Sequence, residues 1–125
     1  MPNLELHLAP ENDKGSVLRD RLRAWCSDEG YAETLADDLL LVASELFSNA
    51  VRATVGAASI TVDFERRAGG TLVQVVNEGP GFDLANVPAP TADRPGGRGV
   101  SITQALGTMA VAQHRTTTTV TVLIP

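Results

Sequence analysis

The sequence predicts an α+β two-layer sandwich, in which a mostly antiparallel, mixed sheet is covered on one face by three helices. Three observations carry that prediction. Strand-like runs fall in adjacent pairs that short turns can join, and helical runs lie between those pairs rather than alternating with single strands. The chain has 125 residues, enough for one core and too few for two ordinary domains, so residues 1–125 are expected to form a single domain.

The elements follow in order. Residues 4–8 (LELHL) alternate apolar and polar side chains, a short strand closed by Pro10 and the turn-forming residues after it. Over residues 14–29, Val17, Leu18, Leu22, Ala24, Trp25 and Cys26 recur near helical spacing with arginines between them, and Gly30 stops the helix. The longest helical signal runs from residue 32 to about 54. At about 100° per residue, Leu35, Leu39, Val42, Ala43, Leu46, Phe47 and Ala50 share one apolar face, with Asp38, Glu45, Asn49 and Arg52 along its flank. Residues 58–67 and 70–78 alternate on either side of a Gly-Gly turn and read as a hairpin. Residues 79–97 are rich in glycine and proline, a long connection of the kind that accompanies function. Helical spacing resumes over 100–106 and ends at Gly107, and 109–114 with 116–124 form a second antiparallel pair around Arg115.

Composition removes several classes of function. With 10 Lys and Arg against 15 Asp and Glu, the net charge is −5, which disfavours direct nucleic-acid binding. No apolar run approaches the roughly 18–20 residues of a spanning helix, and the first residues lack the basic and apolar regions of a secretory signal. A cytoplasmic protein without a membrane partner is expected. Cys26 is the single cysteine, so neither an intrachain disulfide nor a cysteine-based zinc site can form. His7 and His114 are far apart, without metal-ligand spacing, and read as strand residues. Lys14 is the single lysine and has no glycine-rich loop beside it. P-loop NTPases and ordinary protein kinases both place a lysine ammonium on phosphate, and both are excluded.

Three polar features interrupt the core pattern. Glu45 and Asn49, spaced i, i+4, point the same way from the long helix, either as a solvated flank or as a paired site. Asn77 ends an apolar strand and leads at once into Glu78-Gly79-Pro80-Gly81-Phe82, either as loop punctuation or as a close approach to a ligand. Gly96-Gly97-Arg98-Gly99-Val100 opens a helix, a junction that offers unpaired N–H groups to an anion.

In this order and on these elements, ELFSNAV, VVNEGPGF and GGRGVSIT resemble the N, G1 and G2 boxes of the GHKL ATPase superfamily, the Bergerat ATP-binding fold. The segment ADDLLLVASELFSNAV is very like the anti-sigma factor serine/threonine kinases, in particular their small actinobacterial-type ATP-binding relatives. The resemblance implies ATP and Mg²⁺ as cofactors. It gives Asn49 to the metal, Glu45 to general-base duty, and Asn77, Gly79 and Gly81 to base and ribose. Gly97, Arg98, Gly99 and Val100 would hold the phosphates, residues 83–95 would form an ATP lid, and Thr119 resembles the threonine near adenine. It further implies a homodimer that phosphorylates an anti-anti-sigma (STAS-domain) partner and binds a sigma factor. Two departures stand out. The G1 box normally opens with aspartate where this chain has Asn77, an exchange that removes a charge-assisted hydrogen bond worth about 1.5–3 kcal/mol. The histidine often found shortly after the N-box asparagine is replaced by Arg52-Ala53-Thr54. The alternatives are a nucleotide-sensing or nucleotide-independent anti-sigma adaptor without kinase activity, and the catalytic half of a sensor histidine kinase. The second fits less well, because no phosphoacceptor helix pair accompanies the motifs.

Overall fold

The computed structural model describes residues 3–56, 58–79 and 98–125. Strand β1 (Asn3–Leu8) is followed by a single 3₁₀ turn (Asn12–Lys14), helices α1 (Gly15–Asp28) and α2 (Glu33–Ala53), and the hairpin β2 (Ile60–Arg67) and β3 (Gly70–Glu78). Helix α3 (Arg98–Leu106) then leads into the hairpin β4 (Thr108–His114) and β5 (Thr117–Ile124). The strands lie in the order β1-β2-β3-β5-β4, and every pairing among the described residues is antiparallel. The α+β sandwich expected from the sequence is the one found. Element ends differ from the sequence reading by one or two residues: Lys14 belongs to the 3₁₀ turn, β2 begins at Ile60, and α3 begins at Arg98.

Alternation sorts each strand into two faces. Toward the helices, Leu4, Phe64, Val73, Val122 and Met109 form one rung across all five strands. Leu6, Val62, Val75, Val120 and Val111 form the next. Leu18 and Leu22 of α1 join this core, as do Leu39, Val42, Ala43, Leu46, Phe47 and Ala50 of α2. The apolar stripe read from the sequence of α2 is thus the stripe it buries. The sheet's other face carries Glu5, Asp63, Glu65, Gln74 and Thr121.

The turn between the two helices is tied to the sheet. Gly30, at φ +71°, lets α1 close with paired backbone bonds, Gly30 N–H to Ser27 C=O at 3.2 Å and Tyr31 N–H to Cys26 C=O at 3.0 Å. Trp25 then meets the Tyr31 ring at 5.3 Å and Phe64 at 6.0 Å. The Tyr31 hydroxyl shares a 2.7 Å hydrogen bond with Thr71 on β3, and Arg66 covers the Tyr31 ring while donating to the Glu29 carbonyl. Among the described residues no helix is long and apolar enough to cross a membrane.

Phe64 is fully buried at the crossing of the aromatic group and the first apolar rung. Phe64→Ala is expected to lower the unfolding free energy by about 3–5 kcal/mol, read as a reduced midpoint in urea with the slope unchanged.

Candidate functional site

The two apolar rungs give way, at the end of the sheet where β3 stops, to a polar one. Asn77 pairs with Thr118, and Thr118 with Gln113, on the inward row that Val75, Val120 and Val111 occupy one rung earlier. Asn77 is only 4% exposed, and its Nδ2 has no hydrogen-bond partner among the described residues. A buried donor left unpaired costs about 1–3 kcal/mol. Such a group in a central strand marks a place where a partner from outside the chain can complete the bonding.

Gly79, the next residue on this face, fixes the neighbourhood. A Cβ there would lie 2.0 Å from the Ala53 carbonyl oxygen and 3.3 Å from Asn77 Nδ2, so only glycine permits the strand to run this close to the end of α2. The contact is clamped on every side. Gly79 N–H donates to the Thr116 carbonyl at 2.7 Å, the Gly79 carbonyl accepts from Thr118 Oγ1 at 2.7 Å and Gln113 Nε2 at 3.4 Å, and Val55 N–H reaches the Glu78 carbonyl at 2.8 Å. The Glu78 carboxylate accepts from the Thr117 hydroxyl at 2.7 Å and the Thr116 hydroxyl at 2.9 Å, and these two bonds hold its pKa below the usual glutamate value.

Helix α2 supplies the other wall. Glu45, Asn49 and Ala53 are spaced i, i+4, i+8 and so lie roughly along one side of it. Ala53 is the residue Gly79 touches, and Asn49 and Glu45 follow one and two turns back, both half-buried. The Asn49 side-chain oxygen already accepts a hydrogen bond from the Arg52 guanidinium. Helix α3 packs against α2 and begins at Arg98, so the backbone amides of Arg98, Gly99 and Val100 are those of its first turn. Within α3, Thr103 is fully buried and its hydroxyl has no partner among the described residues, where Trp25 Nε1 is the third such atom.

The structure thus brings Asn77 and Gly79 together beside the helix side that carries Asn49 and Glu45. Thr119 does not join them. It pairs with Val76 and Ala112 on the outward row, and Thr118 occupies the inward position beside Asn77. The signal was available in the strand itself: Val120, Val122 and Ile124 set the buried parity, and Thr118 shares it. Gln113 and Arg52 were likewise not assigned to the site from the sequence. Gly81, Gly97 and the lid segment 83–95 lie outside the described residues. Among those described, no group of His, Cys, Asp and Glu side chains is placed to hold a metal. A hollow of about 380 Å³ between Glu5, Asp63, Glu65, Arg67, Leu72 and Gln74 opens on the opposite face of the sheet. There burial, and then the facing Glu5, push the Asp63 carboxyl up.

A family model for the histidine kinase-like ATPase domain matches residues 8–124. Among solved structures, that of the RsbU and RsbW domains of Rv1364c from Mycobacterium tuberculosis is similar at 20% identity and a TM-score of 0.75, covering 98% of this chain and 32% of that one. This chain therefore spans about a third of the mycobacterial protein's crystallised length. The Acinetobacter baumannii histidine kinase AdeS is similar at 15% identity and a TM-score of 0.58, covering 97% of this chain and 66% of that one. At these identities the likeness is one of fold. No curated protein matches the chain.

The clamp makes two predictions. Gly79→Ala is expected to cost about 1–3 kcal/mol in urea unfolding, whereas Gly69→Ala, whose Cβ would meet nothing within 4 Å, stays within about 0.5 kcal/mol of the parent. Because the folded pKa of Glu78 is lowered, its contribution to stability is present above the unfolded glutamate pKa and disappears as pH falls through the folded value. A carbon-detected NMR titration is expected to find Glu78 titrating below the usual glutamate value, and Thr117→Val is expected to raise it.

Proposed function

The chain belongs to the histidine kinase-like ATPase family, and on that footing we propose that it binds Mg²⁺-ATP and works as an anti-sigma factor that phosphorylates a serine of an anti-anti-sigma (STAS-domain) partner. The observation that carries this reading is the Asn77 Nδ2, unpartnered among the described residues and buried beside Gly79 at the foot of the helix side that presents Asn49 and Glu45. An orphan donor in a polar rung fits a nucleobase edge. The motif resemblance and the shared fold of the RsbU and RsbW domain structure support the anti-sigma branch.

Each residue then has a role that its chemistry allows. Asn77, with Thr118 beside it, meets the base, and Gly79 with Gly81 keeps the chain low enough for base and ribose to approach. The first-turn amides of α3 at Arg98, Gly99 and Val100, together with Gly97 and the Arg98 charge, hold the phosphates. Asn49 offers the hard oxygen that Mg²⁺ prefers; when bound, the metal neutralises charge on the phosphate oxygens. That oxygen is shared with Arg52, so the metal and the guanidinium compete for it. Glu45 accepts the serine hydroxyl proton as the serine oxygen bonds to the γ-phosphorus and the bond to the β-phosphate oxygen breaks, leaving ADP. A sigma factor as second partner, a homodimer and a cytoplasmic location complete the proposal.

A second reading rests on the Arg52–Asn49 bond. If the guanidinium keeps the Asn49 oxygen when nucleotide is bound, the protein is a nucleotide-responsive anti-sigma module without phosphoryl transfer. One experiment separates the two: incubation with γ-labelled ATP, Mg²⁺ and a STAS-domain partner, alongside calorimetry. The kinase reading expects label on the partner, a loss of about 10²–10⁴ in transfer for Glu45→Gln, and ATP affinity for that variant within a few fold of the parent. Binding without transfer selects the module, and absence of Mg²⁺-ATP binding at millimolar concentration rejects the ATP site.

A further inference from the structure

Asn77 closes the inward row of the central strand with a group that can both donate and accept. The backbone here admits little rearrangement. Asn77 is held in register against Thr118, and the residue two further on is wedged against the Ala53 carbonyl and bonded on both its N–H and its C=O. Thr118 has committed its hydroxyl proton to the Gly79 carbonyl at 2.7 Å, so what it offers a ligand is acceptor capacity. The free donor on this rung is Asn77 Nδ2, buried and unpartnered.

A purine presents one of two patterns at its 1 and 6 positions. A 6-aminopurine offers an N–H donor at position 6 and an acceptor at N1, whereas a 6-oxopurine offers an acceptor at position 6 and an N–H donor at N1. A carboxylate has acceptors only. It accepts one N–H from either edge and sets its second oxygen against a lone pair. A primary amide has one acceptor and one donor of nearly equal size, and a half-turn of its terminal bond exchanges them. It forms two complementary bonds with either edge. A site rejects an analogue when that analogue leaves a buried polar group unpaired, and Asn77 leaves none unpaired with either purine.

Resting on the reading of this pocket as a purine nucleotide site, we infer that Asn77 relaxes recognition at purine position 6, so that the site accepts 6-oxopurine nucleoside triphosphates alongside 6-aminopurine ones. Calorimetry on the full chain at fixed Mg²⁺, with ATP and inosine triphosphate as probes, tests this without any phosphoacceptor. The expected result is a pair of dissociation constants within about tenfold of each other, and for Asn77→Asp a preference for ATP widened by about tenfold or more, the scale of one charge-assisted hydrogen bond. A wild-type preference for ATP beyond tenfold overturns the inference, as does an Asn77→Asp protein whose ratio is unchanged. If the buried carboxylate prevents folding, the wild-type ratio decides alone. Binding of ATP with exclusion of inosine triphosphate leaves the nucleotide site standing and removes only the relaxed recognition. Failure of both probes at millimolar concentration removes the site and the inference with it.

Discussion

The approach of Gly79 to the carbonyl of Ala53 is the constraint around which this end of the molecule is organised. No side chain fits between the two segments, so the end of β3 and the last turn of α2 are joined at backbone distance. Everything polar nearby is arranged to hold that contact. Val55 reaches Glu78, Thr116 takes the Gly79 amide, and Thr118 and Gln113 close on the Gly79 carbonyl. Asn77 is fixed as a consequence, because it lies two residues before the wedge on the same face. A close backbone contact thus fixes the backbone from which the Asn77 amide projects.

Rigidity at that point depends on the apolar part of the sheet. Two rungs spanning all five strands, packed under α1 and α2, supply burial that a third rung of the same kind would extend. The third rung is polar instead. Asn77 leaves a donor unmatched and Thr103 on α3 leaves a hydroxyl unmatched, each at a cost of about 1–3 kcal/mol. Each such group calls for an explanation, and the third of them among the described residues, Trp25 Nε1, belongs to the aromatic group rather than to this rung. The polar rung lies beside the helix side bearing Asn49 and Glu45, and the family model spans residues 8–124, which include all of these positions.

Most of the fold was legible because it is written in periodicity. The apolar face of α2, the alternation of β2 and β3 and the stop at Gly30 each follow from spacing, and each is realised in the structure. Boundaries shifted where periodicity is silent, as at Lys14, which a 3₁₀ turn claims, and Arg98, where the helix starts ahead of its first apolar residue. The site was less legible. Asn77 and Gly79 were visible as breaks in an apolar strand, yet the reason glycine is needed at 79 is a contact with Ala53, 26 positions away in sequence, that no local pattern encodes. Thr118 was legible in principle through strand parity, but a run of four threonines hides which one faces inward. Arg52 was read on the polar flank of α2 and as a departure from the motif, but its bond to Asn49 was not, because that depends on rotamers rather than on spacing.

The two departures from the family's motif act in the same electrostatic direction. An aspartate at 77 would place a carboxylate on the polar rung, and a histidine after the asparagine would be largely neutral near pH 7. Asn77 deletes the negative charge and Arg52 adds a permanent positive one beside Asn49. On a chain of net charge −5, this corner is locally shifted toward the sign that favours a triphosphate and disfavours a divalent cation. An attraction to phosphate that arises from fixed charge is indifferent to which base the nucleotide carries, whereas a carboxylate on the base would discriminate. On the proposed nucleotide reading, a site that gains affinity through guanidinium charge and gives up a base-reading carboxylate would move its recognition from the purine toward the phosphates, and a single bond, Arg52 to Asn49, would tie that shift to the metal.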